Sequence, residues 1–558
     1  MPKDAPDPEA RRRALKATQA KYAYHPPNAA ANPLSPIAVA KRYPWSAAYP
    51  LRWILPYVPI VLGAVANVLV KLVKFRLQRL TGSFNKKAAY LGLFNRSFEA
   101  PSELVETHMR DGRFARARID GPNSVLLARV TSVSELQDQL PISDQQFQSV
   151  VGGTRTLADE VQANNLFVLD YALLAKSSLP VEKGGPEIRE KYLPVPIALF
   201  CCKPGADPLC DLIPVAIKLD RAPGSPVYLK GSGHAWEMAK LYLQAADHNM
   251  QVMSTHLHRH HYVAEPFALS TPRQLAENHP IHLLLEPHLA YTIAANKAGF
   301  GQFTSPKSVF ARIFAGSIAQ TRQIMISSHE AFSFRRLALP RDLEERKVTE
   351  FPSEYPYRDD GLLLWKAIRD FVDEFVRLFY RSDEDVAGDH ELQAWMAELA
   401  DSEAGALRDL SDGDTLTTIE QLVDLVAQIM FTVGPGHASA HFPDGYYGTY
   451  IPAYPAATYR PPPQGEGQVT PESLVELLPP IDAAALQWLT HRIGAYRFGS
   501  FGDYSAHRLG RVAVAQRAIQ KFNEELHRIE DVIGKRNERR ALPYVYMLPS
   551  KIPNSINI

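Results

Sequence analysis

The stretch HLHRHH, residues 256–261, places four imidazoles in six positions: His256, His258, His260 and His261. Much further along, GPGHASAHF (434–442) holds His437 and His441 four residues apart, directly after the apolar run TIEQLVDLVAQIMFTV (418–433). A fold of this chain must either solvate these imidazoles or bring two distant helices together around one nitrogen-rich site. Positions four apart share a helix face, so spacing alone pairs His256 with His260. His256 and His261, five apart, converge only where the helix widens into a π turn, a distortion found mostly at functional sites. A solvated histidine cluster is the plain alternative. Two pairs on two apolar helices favour a buried all-nitrogen site, for which ligand softness allows zinc, iron, manganese or copper.

The rest of the composition is that of a globular chain: 558 residues, 46% hydrophobic and 22% charged, enough to bury a core without staples. Cys201, Cys202 and Cys210 suit neither a disulfide framework nor a zinc finger, so a reducing compartment is compatible. The opening MPKDAPDPEARRR lacks the apolar core of a secretory signal, and its acidic residues argue against an organelle transit peptide.

A net charge of +1 hides an asymmetry. Between Glu9 and Glu99 there is no acidic residue but fifteen Lys and Arg, among them Arg11, Lys71, Lys74, Arg76 and Arg79. Such a stretch attracts an anionic membrane face or nucleic acid. No nucleic-acid motif accompanies it, so no nucleic-acid partner is expected. Within it lies WILPYVPIVLGAVANVLVKLVK (53–74). Pro56 and Pro59 are expected to break its start and Lys71 to end its apolar run, which leaves it short for a spanning helix. A helix lying on a bilayer and a helix packed on the protein body both remain open.

The patterning predicts a mainly α fold with small β-sheets. Residues 1–50 read as loosely ordered, with a short helix over 9–22. Alternating runs such as SVLLARV (124–130) and LIPVAIKLD (212–220) predict small sheets. From Trp236 onward helical periodicity dominates, as in 362–380, 418–433 and 522–537; RPPPQGEGQ (460–468) is a loop. The expected division is a basic, partly apolar N-terminal helical extension, 1–85, and a large helical domain, 86–558. The chain ends on LPSKIPNSINI, unusually apolar for a frayed tail. A buried terminal carboxylate would need a partner.

Together these pieces resemble the lipoxygenase family. HLHRHHYVAEPF (256–267) is similar to its metal-helix signature, HPIHLLLEPH (279–288) and YPYRDDGLLLW (355–365) to two further segments, HASAH (437–441) to its later ligand positions, and PNSINI to its terminus. The resemblance covers roughly 90 to 558. Its Glu265-Pro266-Phe267 register moves the second ligand from His260 to His261. It implies a non-haem iron held by His256, His261, His437, His441 and the carboxylate of Ile558, with manganese the less favoured metal. The implied reaction is hydrogen-atom removal from a bis-allylic carbon, then addition of O2 to give a hydroperoxide. The implied partners are O2 and a polyunsaturated fatty acid of the linoleate, linolenate or arachidonate type. His258 and His260 should face away from the metal or hydrogen-bond around it, and His279 and His288 should be structural.

The resemblance also places Gly299 where the family governs the face of oxygen attack. Glycine there accompanies R-configured products in many members, with a plain backbone need as the alternative. Phe303 and Phe310 fall at pocket-lining positions or in ordinary core. Two positions depart from the pattern: Val252, with Gln251 beside it, and Asp444 stand where the family often has Gln or Glu, so a hydrogen-bond bridge between pocket and metal is rewired. Tyr454 stands where plant members carry an Arg, so no carboxylate clamp is evident. No β-barrel is expected ahead of the helical domain. The extension is expected to dock a cytoplasmic monomer peripherally on a membrane. The rivals are a lipoxygenase-like hydroperoxide isomerase and a non-catalytic, membrane-bound metal-binding protein.

Overall fold

A computed structural model describes residues 6–29, 32, 34–177, 190–463, 465 and 469–558; the 460–468 loop lies partly outside them. The chain begins with helix α1 (Pro8–Gln19), capped by the Asp7 side chain, which accepts from the Ala10 amide. A short antiparallel ribbon follows, β1 (Ala23–His25) with β2 (Val39–Arg42). This region is not loosely ordered. Arg11 makes a two-pronged pair with Glu391, at 2.5 and 2.8 Å. Leu34, Ile37 and Val39 belong to the same hydrophobic core as the histidine-bearing helices.

Helix α2 (Leu51–Leu80) runs for 30 residues, with Pro56 and Pro59 inside it. The expected break is absent. Each proline frees the carbonyl four residues back, here those of Arg52 and Leu55, and both residues are exposed, where water can satisfy them. Trp53, Ala64, Asn67, Val68 and Phe75 are buried. The opposite face exposes Leu51, Leu55, Leu62, Leu69, Val73 and Leu77. By length and composition alone this helix could cross a membrane.

The small sheet is antiparallel and five-stranded, in the order β3 (Ala128–Arg129), β4 (Leu166–Asp170), β5 (Ile197–Cys202), β6 (Leu212–Lys218), β7 (Val227–Leu229). Its β5 and β6 are buried throughout. The helical body then begins. Helix α3 (His234–Met250) widens into a π-helical segment (Gln251–Tyr262) and continues as α4 (Val263–Gln274). Helices α5 (Pro280–Leu289) and α6 (Thr292–Thr304) follow. The periodic stretches form α7 (Pro356–Val376), α8 (Ile419–Phe431) and, nearer the end, the long helix Gln516–Asn537. A Thr418/Gln421 capping box starts α8. A second π segment (Thr432–Gly436) joins α8 to the short α9 (His437–His441). Helix α10 (Ile481–Gly494) packs against α2.

Candidate metal centre

The first π segment answers the spacing problem. In a regular α-helix, five residues leave two side chains about 140° apart. Here the widened helix puts His256 and His261 on one face, with their Nε2 atoms 3.1 Å apart. The second π segment has its own local logic. Pro435 has no N–H to give the helix. Gly434 and Gly436 allow close approach: a β-carbon would meet the Phe501 ring at 2.6 Å and the His260 ring at 2.9 Å, respectively.

Four imidazoles converge. His437 Nε2 lies 3.2 Å from His256 Nε2 and 3.1 Å from His261 Nε2, and His441 Nδ1 lies 2.7 Å from His256 Nε2. The four ligand atoms all lie within 4.8 Å of one another. His256, His261 and His437 are buried and His441 half-buried. Outer partners fix two of the rings. His261 Nδ1 donates to Asn296 Oδ1 at 2.8 Å, and His441 Nε2 donates to the Gly494 carbonyl at 2.5 Å. Burial pushes all four pKa values down, to about 3 for His261 and about 4 for His441. The rings are therefore neutral, and the inward nitrogens of His261 and His441 carry lone pairs rather than protons.

This arrangement fits a cation. Nitrogens about 2.1 Å from a shared metal lie about 3.0 Å apart where they subtend a right angle and about 3.4 Å apart in a tetrahedron; the spacings of 2.7–3.2 Å found are nearer the first. A cation would satisfy the lone pairs that His261 and His441 aim into this buried site.

His258, His260, His279 and His288 have partners of their own. His260 Nδ1 donates to the Thr432 carbonyl at 2.9 Å, and His258 Nε2 meets His329 Nδ1 at 3.2 Å. His279 pairs with Asp389 at 3.1 Å. His288 bridges the Asn554 carbonyl and the Tyr504 hydroxyl, each at 3.0 Å.

Asn554 belongs to the terminal segment, most of which is buried. Asn557 donates to the Phe498 carbonyl at 2.9 Å, and Thr292 donates to the Ile556 carbonyl at 3.4 Å. Thr292 and Asn296 are one turn apart on α6, so the end of the chain, at half-buried Ile558, is held beside the helix that orients His261.

Gly299 also lies on α6. A β-carbon there would meet nothing within 4 Å, so no tight contact demands glycine. Phe310 is half-buried, its ring 5.0 Å from that of Phe314; the side chain of Phe303 lies outside the described residues. Val252 is buried core. Gln251 donates to the Ala440 carbonyl at 2.6 Å, inside the His437–His441 turn. Asp444 is buried with one oxygen unpaired. Tyr454 is also buried, its hydroxyl donating to Asp247 at 3.0 Å, which is no position for a clamp at a pocket mouth.

Sequence reasoning did not single out Asn296, the Gly494 carbonyl or the hydrogen bonding of Glu265. Glu265 accepts from the Ala40 amide at 2.5 Å and from Asn296 at 2.6 Å. Burial nonetheless pushes its pKa up to about 7.

The profile of the lipoxygenase family matches residues 95–544. A linoleate 9/13-lipoxygenase of Pseudomonas aeruginosa is 33% identical over 82% of this chain and 68% of its own length. A polyunsaturated fatty acid lipoxygenase of Rattus norvegicus is 32% identical over 86% and 70%. A hydroperoxide isomerase of Homo sapiens is 30% identical over 82% and 63%. A lipoxygenase crystallised anaerobically with arachidonate superposes with a TM-score of 0.88 at 25% identity, covering 99% of this chain and 82% of that one.

Proposed function

The chain belongs to the lipoxygenase family, and we propose that it is a non-haem iron dioxygenase inserting O2 into fatty acids with a 1,4-pentadiene unit to give R-configured hydroperoxides. The observation that carries this reading is the convergence of four neutral imidazoles, two of them locked with lone pairs inward by Asn296 and Gly494. Members of the family are in general iron-dependent oxidoreductases. The ligands would be His256, His261, His437, His441 and the terminal carboxylate of Ile558. Bound iron supplies a one-electron partner able to take a hydrogen atom from a weak bis-allylic C–H.

The chain's own residues supply position. Asn296 holds the His261 proton on Nδ1, and Gly494 holds the His441 proton on Nε2, so neither ring turns. Burial excludes bulk water from the nitrogens. Gly299 leaves the volume of a methyl group open on α6, which supports oxygen entering on the face that an alanine would block. The substrate class is that of the relatives, linoleate and arachidonate types among them.

The exposed apolar face of α2, with Lys74, Arg76 and Arg79 exposed in its last turns, supports peripheral docking of a monomer on an anionic bilayer. The expected site of action is the cytoplasmic membrane face.

The names of two relatives, hydroperoxide isomerases of Homo sapiens and Rattus norvegicus, support a second reading as a hydroperoxide isomerase. Incubation of iron-loaded protein with linoleate and with arachidonate under O2, followed by chiral product analysis, separates the two. R-hydroperoxides support the proposal. O2 uptake absent with both fatty acids, together with consumption of a supplied hydroperoxide, supports the isomerase.

A further inference from the structure

An unbroken hydrogen-bond chain joins the N-terminal ribbon to the second histidine of the metal centre. The Ala40 amide, on β2, donates to Glu265 Oε1 at 2.5 Å. Asn296 Nδ2 donates to Glu265 Oε2 at 2.6 Å and to the His261 carbonyl at 2.9 Å. Asn296 Oδ1 accepts from His261 Nδ1 at 2.8 Å. His261 Nε2 then faces the Nε2 atoms of His256 and His437, each at 3.1 Å.

The polarity of this chain is fixed from both ends. A backbone amide can only donate, so Ala40 needs an acceptor, which Glu265 Oε1 supplies. The His261 carbonyl can only accept, so it takes the NH2 side of Asn296, as does Glu265 Oε2. That turns the Asn296 carbonyl toward His261, where it can be satisfied only by a protonated Nδ1. Nε2 is left bare toward the metal position. We infer that Glu265 and the Ala40 amide are positioning groups for His261, and that the N-terminal ribbon thereby takes part in the metal centre.

Only glutamate suits position 265. Glutamine is nearly the same size but has one acceptor and one donor end. Its NH2 would have to face either Ala40 N–H or Asn296 NH2, donor against donor, at two buried side chains. Proline at position 40 has no N–H, so it removes the conflict on one side.

The inference rests on His261 being a ligand, and the test separates the two claims. Co2+ is titrated anaerobically into the metal-free full-length protein and its ligand-field spectrum followed, with circular dichroism to confirm folding. Glu265→Gln is expected to weaken Co2+ binding by about tenfold, the low end of the cost of losing a group bonded directly to a metal-bound histidine, because Glu265 acts through Asn296. Ala40→Pro alone is expected to cost less. Glu265→Gln combined with Ala40→Pro is expected to recover most of the Glu265→Gln loss. In Zn2+-loaded protein, 15N chemical shifts should show the Nδ1–H form of His261 in wild type and a mixed signal in Glu265→Gln.

If His261→Ala binds Co2+ as wild type does, the ligand reading itself fails. If His261→Ala loses Co2+ while Glu265→Gln keeps it, only the positioning role fails. If Glu265→Gln weakens binding but the double variant does not recover, the link to the ribbon is overturned. Should Glu265→Gln not fold, Ala40→Pro decides alone: Co2+ affinity equal to wild type overturns the inference.

Discussion

His260 donates its Nδ1 proton to the Thr432 carbonyl at 2.9 Å, and that bond turns it away from the point on which its neighbour His261 converges. The bond reaches from one π segment to the other. His260→Ala removes one of two donors to the Thr432 carbonyl, which the His437 amide still reaches, so the expected cost is that of one hydrogen bond, about 0.5–1.5 kcal/mol in stability. It is expected to retain iron. His261→Ala is expected to lose it. Metal analysis of the two purified variants checks this, and iron loss from His260→Ala with retention in His261→Ala would reverse the ligand assignment.

Gly299→Ala is a clean probe of stereocontrol, because the added methyl meets nothing within 4 Å. Folding should be unaffected, with Tm within about 1 °C of wild type, as surface-like substitutions rarely exceed ±0.5 kcal/mol. The product is expected to move from R toward S. Unchanged chirality, with intact folding, removes Gly299 from the account.

The outward face of α2 carries the membrane proposal. Trimming three exposed side chains, in Leu62→Ser/Leu69→Ser/Val73→Ser, should spare the core, since each is at least 59% exposed. Binding to anionic liposomes is expected to drop at least about tenfold, since insertion of such side chains is together worth several kcal/mol. Equal sedimentation of variant and wild type with liposomes would count against docking through α2. Deleting the whole N-terminal region is a poor substitute, because Arg11 and Ala40 are tied to Glu391 and Glu265.

Asp444 predicts a pH signature. Burial raises its carboxyl well above the ordinary aspartate value of 3.8, with Gln251 acting in the opposite direction. A carboxyl with a raised folded pKa keeps its proton in the fold while the unfolded chain releases it. Its penalty is therefore absent below 3.8 and grows as pH rises toward the folded pKa, by at most about 1.4 kcal/mol per pH unit. Asp444→Asn removes this titration and should gain Tm relative to wild type between about pH 4 and pH 7. Parallel Tm curves for the two proteins would show that Asp444 does not titrate in this way.

Much of the helical body was legible because periodicity and caps are local. The runs at 362–380, 418–433 and 522–537 became α7, α8 and the helix Gln516–Asn537. The choice of His261 over His260 was not legible from spacing. It came from the Glu265-Pro266-Phe267 register, and the π widening supplies the geometry. Asn296 and Gly494 left no trace in the pattern, because their roles arise from tertiary contacts across 35 and 53 residues. Pro56 and Pro59 misled for a related reason. A proline's effect depends on whether the freed carbonyls meet water or a packed neighbour, which only the folded helix reveals.

The most direct test of the metal centre is a crystal of iron-loaded protein measured at the iron absorption edge. One anomalous peak is expected, held by His256 Nε2, His261 Nε2, His437 Nε2 and His441 Nδ1, with the Ile558 carboxylate against it. A peak between His258 and His329 instead, or no peak from protein that contains iron, would contradict it.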